Sequence, residues 1–159
     1  MLVIGQGFDT HQLVEGRKLI LGGVEIPWHK GLMGHSDADV LSHAVALALL
    51  GALRMGDLGD NFPDSDPAFK DISSIELLRR VRAMVGRRND VIQSIDTTIV
   101  AQNPKVSPYK LQMGRNIAEA LGIECCFVSV KACTTEHLGF IGREEGISAF
   151  AVCLVDVIN

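Results

Sequence analysis

Hydrophobic and polar positions fall along the chain in blocks whose periods switch between strand and helix. Residues 2–8 form a short apolar run that predicts a strand, ending in the polar stretch Asp9-Thr10-His11. KLIL (18–21) and VEI (24–26) flank Gly22-Gly23, a hairpin signal that Pro27 stops. Asp37 to Met55 contains no proline and is rich in alanine and leucine, which predicts a helix. Ser36, Asp37 and Asp39 suit its cap and first turn. From Ala44 to Leu53 this helix is apolar nearly all round, so it must be covered by its own domain or by a partner subunit.

The stretch 57–72 is acidic and turn-rich and predicts a surface loop. Ile75, Leu78, Val81, Met84 and Val85 recur at helical period, predicting a helix over 73–85 with a basic end at Arg87-Arg88. Val91–Ala101 is rich in β-branched residues and predicts a strand. Tyr109–Leu121 reads as a helix closed by Gly122, Phe127–Ala132 as a strand, and Ile147–Val157 as the last strand. The interleaving implies an α+β fold, an α/β sandwich with one sheet face covered by helices, in a single domain over 1–159.

Composition narrows the function. With 159 residues, 47% hydrophobic and 21% charged, the chain has the make-up of an ordinary soluble globular domain. A net charge of −4 argues against a nucleic-acid partner, which calls for a basic face. No apolar run approaches the roughly 18 residues of a membrane span, and the N-terminus has no basic leader, so a cytoplasmic protein is expected. Cys125, Cys126, Cys133 and Cys153 form no CxxC pair. That disfavours both a disulfide framework and a four-cysteine zinc site, and predicts buried, reduced thiols.

The chemistry concentrates in a few polar positions. Asp9 and His11 are two apart in extended chain, so both side chains point the same way and can meet one ion. Asp39 and His43 are four apart on the predicted helix and share a face. Mixed nitrogen and oxygen ligands with an open position describe catalytic zinc. Each residue also admits an ordinary role, as a hydrogen-bonded histidine or a capping acid, and spacing alone leaves both readings open. His35 and Ser36 precede the helix start, where backbone N–H groups favour anions. A second cluster, Lys131 to Glu136, ends a strand in two threonines and a carboxylate. Glu136 is either a ligand for a hard cation or the acid of a threonine-rich turn. Lys105 and Arg143 are loop cations, phosphate-binding or simply solvated. The phosphate-loop and dinucleotide fingerprints are missing.

Five ordered blocks carry a more specific signal: GFDTH (7–11), GHSDADVLSH (34–43), GDLGDNFPDSDP (56–67), AQNPK (101–105) and TTEHLGFIGREEGI (134–147). Together they resemble the 2-C-methyl-D-erythritol 2,4-cyclodiphosphate synthase family of the non-mevalonate isoprenoid pathway, over about residues 3–155. The resemblance implies conversion of 4-diphosphocytidyl-2-C-methyl-D-erythritol 2-phosphate to the cyclic diphosphate, with release of CMP. It implies zinc on Asp9, His11 and His43, and magnesium or manganese on Glu136 with the substrate phosphates. His35 and Thr134 match positions that stabilise the transition state, and Ser36 one that touches the 2-phosphate. Asp57, Leu58 and Gly59 match the methylerythritol subsite, with Phe62, Pro63, Asp64, Ser65 and Asp66 as a flap over it. Ala101, Gln102, Asn103, Pro104, Lys105, Val106 and Ser107, with Cys133 and Thr135, match the cytidine diphosphate subsite, and Phe140 and Arg143 further substrate contacts. The family implies a homotrimer with sites shared between subunits, and in some members an isoprenoid diphosphate on the trimer axis near Arg143 and Glu145. Asp39 matches a motif position that is not a metal ligand. Cys133 stands where many members have threonine, Val106-Ser107 where the pair is more apolar, His137 where lysine is common, and Leu47 where an acid is frequent.

Overall fold

The computed structural model describes residues 1–63, 65–69, 72–87 and 90–158; Asp64 and Arg88, both named above, lie outside these. Seven strands are described: β1 (Leu2–Glu15), β2 (Leu19–Leu21), β3 (Val24–Ile26), β4 (Lys30–Leu32), β5 (Val91–Val100), β6 (Val128–Cys133) and β7 (Gly146–Asp156). Five α-helices accompany them: α1 (Val40–Ala52), α2 (Leu58–Asn61), α3 (Ser74–Arg87), α4 (Lys110–Leu121) and α5 (Gly139–Gly142). The main sheet runs β4-β1-β7-β5-β6, and β2-β3 is a separate hairpin. Neighbours in the sheet are antiparallel except β5 and β6, which run parallel through α4. A parallel pair brings its two C-terminal ends out on the same side.

The sheet alternates over most of its length. Ala149, Ala151, Cys153 and Val155 of β7 and Ile95, Thr97 and Ile99 of β5 face inward and are buried. Leu2, Ile4 and Phe8 of β1 and Phe150 and Val152 of β7 face outward and are exposed. Helix α1 lies across the inner face. Ten of its thirteen residues are buried, so its apolar circumference is consumed within the chain rather than kept for a partner. The contact with β1 is close because Gly5 and Gly7 carry no side chain. A Cβ would stand 1.8 Å from the Ala48 carbonyl oxygen at Gly5, and 2.0 Å from that of Ala44 at Gly7.

The structure departs from expectation in several places, the added strand β4 among them. Strand β1 runs on to Glu15, because its second half pairs with β7 as far as Gln12 and then with β4. Asp9 and His11 therefore sit in mid-strand, not at a strand end. The expected surface loop 57–72 contains helix α2 and a turn of 3-10 helix at Pro67–Phe69, and it buries Phe62. Helix α5 lies between the last two expected strands, where no element was expected. Of the cysteines only Cys153 is buried, its thiol pushed up to about 11 by that burial; Cys126 and Cys133 are exposed. They lie outside the apolar core because short strand and turn ends place them at the surface.

Asp39 caps α1, its carboxylate accepting the Ser42 N–H at 3.1 Å. It also accepts the N–H groups of Gly22 and Gly23 at 2.8 Å each, and the Ser42 hydroxyl at 2.7 Å. Both glycines have positive φ, as the tight hairpin turn requires. One fully buried carboxylate thus ties the β2-β3 turn to the start of α1. Burial pushes its pKa up, and the nearby Asp37 adds to this, against the hydrogen bonds it accepts.

Candidate active site

Strand β1 and helix α1 bring three side chains to one point. The Asp9 Oδ2 is 3.0 Å from His11 Nε2 and 3.0 Å from His43 Nδ1, and the two nitrogens are 3.1 Å apart. Asp9 and His11 reach this point because alternate residues of β1 share a face. His43 comes from the first turn of α1, which packs on that face. All three side chains are mostly buried. Among the described residues they are the one group of three or more His, Cys, Asp and Glu placed to hold a metal ion.

The donor set fits such an ion. A tetrahedral zinc at ~2.0–2.1 Å from each ligand spaces its ligand atoms by ~3.3 Å, a few tenths of an ångström wider than this triangle. The outer ring nitrogens are already engaged. His11 Nδ1 is 2.8 Å from the Met33 carbonyl, which can only accept, so that nitrogen carries a proton and, in the neutral ring, Nε2 presents its lone pair inward. Burial disfavours charge on Asp9, but hydrogen bonds and charge from His11 and His43 outweigh it and hold the carboxyl well below the usual carboxylate range. Burial likewise opposes a charged His11, yet the hydrogen bond and charge of Asp9 raise its pKa above the ordinary 6.5. A shared excess of negative charge and lone pairs is what a divalent cation relieves.

The triangle sits in a cleft of about 570 Å³. Its walls include His35, Ser36 and Leu47 beside the triangle, then Asp57, Leu58, Gly59, Phe62 and Pro63, with Phe69, Ile72 and Leu77 closing the apolar side. Asp57 caps α2 in a reciprocal box with Asp60, at 2.9 and 3.1 Å. That box fixes the loop against the cleft. Ser65 and Asp66 are not among its lining residues; the Asp66 N–H turns back to the Pro63 carbonyl at 3.0 Å.

The other expected residues gather elsewhere. Because β5 and β6 are parallel, Ala101–Ser107 and Cys133–Glu136 emerge together, tied by the Ala101 N–H on the Cys133 carbonyl at 3.0 Å. The Gln102 side chain accepts the His137 N–H at 3.0 Å, and the Asn103 amide donates to Glu144 at 2.7 Å. The Thr134 hydroxyl donates to Glu136 at 2.7 Å. Val106 is buried, while Lys105, Ser107, Cys133, Glu136 and Phe140 are exposed. The Arg143 guanidinium holds Glu145 by two hydrogen bonds, 2.8 and 3.2 Å. None of these residues lines the cleft that holds Asp9, His11 and His43. The expected residues thus fall into two spatially separate groups on one chain.

The profile of the YgbB family matches residues 2–156. The chain belongs to the YgbB family. It is 57% identical to 2-C-methyl-D-erythritol 2,4-cyclodiphosphate synthase of Geobacter metallireducens, over 96% of this chain and 98% of that one. It is also 57% identical to the enzyme of the same name from Bacillus subtilis, over 98% of each. Among solved structures, the CDP complex of IspF from Plasmodium falciparum superposes with a TM-score of 0.86 at 35% identity, covering 99% of this chain and 97% of that one. Membership in this family accords with the mixed fold and with the triangle on β1 and α1.

Besides Phe69, Ile72 and Leu77 of the cleft wall, two groups beside the triangle escaped the sequence reading. The Met33 carbonyl leaves no side-chain signal. Ser74, which contacts His43, read only as part of a helix start.

Proposed function

We infer that this chain is a metal-dependent 2-C-methyl-D-erythritol 2,4-cyclodiphosphate synthase, converting 4-diphosphocytidyl-2-C-methyl-D-erythritol 2-phosphate into the cyclic diphosphate and CMP. The observation that carries this is the Asp9–His11–His43 triangle at the floor of a cleft walled by Asp57–Pro63, in a chain of this family. The substrate's own 2-phosphate attacks the β-phosphorus and the bond to CMP breaks, so no protein nucleophile is required. Catalysis is then positioning and charge neutralisation. When bound, zinc on Asp9, His11 and His43, with magnesium or manganese on Glu136 and the phosphates, supplies the positive charge that this acidic chain lacks.

The protein's own groups divide the remaining work. Ser36 and His35 border the triangle and are suited to the 2-phosphate and the developing charge. The wall of Asp57, Leu58 and Gly59 suits the hydroxyls of the sugar, and Phe62 and Pro63 exclude water from it. Ala101–Ser107 with Cys133, Thr134 and Thr135 offer backbone groups to the cytidine diphosphate; Phe140 and Arg143 lie on the following turn. A homotrimer that joins the cytidine half of one subunit to the metal half of the next is supported by the two separate half-sites and by the exposed apolar sheet face. An isoprenoid diphosphate on the trimer axis would have to displace Glu145 from Arg143. The cytoplasm is the proposed location; no helix of the described residues is long and apolar enough to cross a membrane.

The rival reading is a metal-dependent phosphohydrolase working through activated water. Metal analysis combined with CMP release and a product mass spectrum separates the two. The expected product is the cyclic diphosphate, formed in step with CMP; a linear diphosphate or free phosphate overturns the proposal. The His43→Ala protein is expected to stay folded and assembled while losing turnover.

A further inference from the structure

His43 has two working nitrogens, and the one facing away from the triangle has a partner of its own. His43 Nε2 lies 2.9 Å from the Ser74 hydroxyl and 3.2 Å from that of Ser36. Ser74 is fully buried at the first turn of α3. Its hydroxyl donates to Asp37 Oδ1, and its backbone N–H donates to Asp37 Oδ2 at 3.0 Å. Asp37 is further fixed by accepting the Asp39 N–H at 3.2 Å.

Proton counting then settles the direction. A serine hydroxyl has one proton, and that of Ser74 is committed to Asp37. Toward His43 the Ser74 oxygen can only accept. His43 Nε2 must therefore carry the hydrogen, and the lone pair of the neutral ring is left on Nδ1, facing Asp9 and His11. Ser36 imposes no such choice. Its oxygen accepts the Ala38 N–H at 3.1 Å, but its own proton is not claimed by a carboxylate.

We propose that Ser74, held by Asp37, is a positioning residue that fixes the tautomer and ring orientation of His43 for metal binding. This rests on the metal reading of the triangle. The arrangement orients His43 through α3 as well as through α1, so the ring is clamped from both sides. A carboxylate–hydroxyl–imidazole chain also makes the inner nitrogen a better donor to a cation.

The test compares wild-type and Ser74→Ala proteins, stripped of metal and titrated with zinc against a competing chelator. Ser74→Ala should bind zinc about 10- to 100-fold more weakly, the usual effect of removing an outer-shell partner. Nitrogen-15 spectra of the imidazoles in zinc-loaded wild-type protein should show His43 protonated at Nε2 and coordinated through Nδ1. Zinc affinity of Ser74→Ala within twofold of a tight wild-type value overturns the proposal, as does His43 coordination through Nε2. If wild-type protein itself binds no zinc, the metal reading falls and takes this proposal with it. Circular dichroism checks that Ser74→Ala folds; if it does not, the wild-type spectra decide.

Discussion

At the scale of single residues, the metal triangle ties folding to pH in a way that a cation should invert. The depressed Asp9 contributes stability above its unfolded pKa of about 3.9, lost as pH falls through its lower folded value. The raised His11 contributes stability below about 6.5, lost as pH climbs through its folded value. Both are charged only between those limits. The melting temperature of metal-free protein should therefore fall as pH rises from about 6 to about 8. With saturating zinc it should rise over the same range, because the ion binds the deprotonated ring. Thermal melts at several pH values, with and without zinc, check both signs. Asp9 and His11 were legible because strand alternation is local. Asp39 shows the limit: four residues from His43 on one helix, it looked like an equal ligand. Its hydrogen-bond partners, Gly22 and Gly23, are brought in only by the fold.

At the scale of elements, the site depends on how closely α1 lies on β1. Gly7→Ala places a methyl 2.0 Å from a helix carbonyl, so strand and helix must separate. Destabilisation of about 3 kcal/mol is expected, read by denaturant unfolding, at the upper end of ordinary overpacking because the obstacle is backbone. Zinc affinity should fall too, since Asp9 and His11 ride on one element and His43 on the other. The long strands and the three long helices were readable from composition, β-branching, the helical period of α3 and the glycine that closes α4. Strand β4 and helices α2 and α5 were not, since three or four residues cannot display a period. The second half of β1 is polar enough to pass for a loop. Pairing with β7 and β4 makes it strand, and that pairing is long-range.

At the scale of the molecule, the outer sheet face calls for cover. Ile4 is 71% exposed and Phe8 packs tilted against Phe150 at 4.7 Å between ring centroids. Val152→Lys, placed on that face, should dissociate the proposed trimer and abolish CMP release while leaving zinc binding intact; sedimentation and metal analysis check the two arms. The parallel pairing of β5 with β6 has a further consequence. It gathers the Glu136 group away from the Asp9–His11–His43 cleft, so in the proposed trimer a lesion in either group leaves the other sound. Two impaired proteins, His43→Ala and Glu136→Ala, should complement each other when refolded together. With random mixing, about a quarter of the interfaces unite two intact halves. Two defective copies made in one cell would then restore a CMP-releasing activity that neither gives alone.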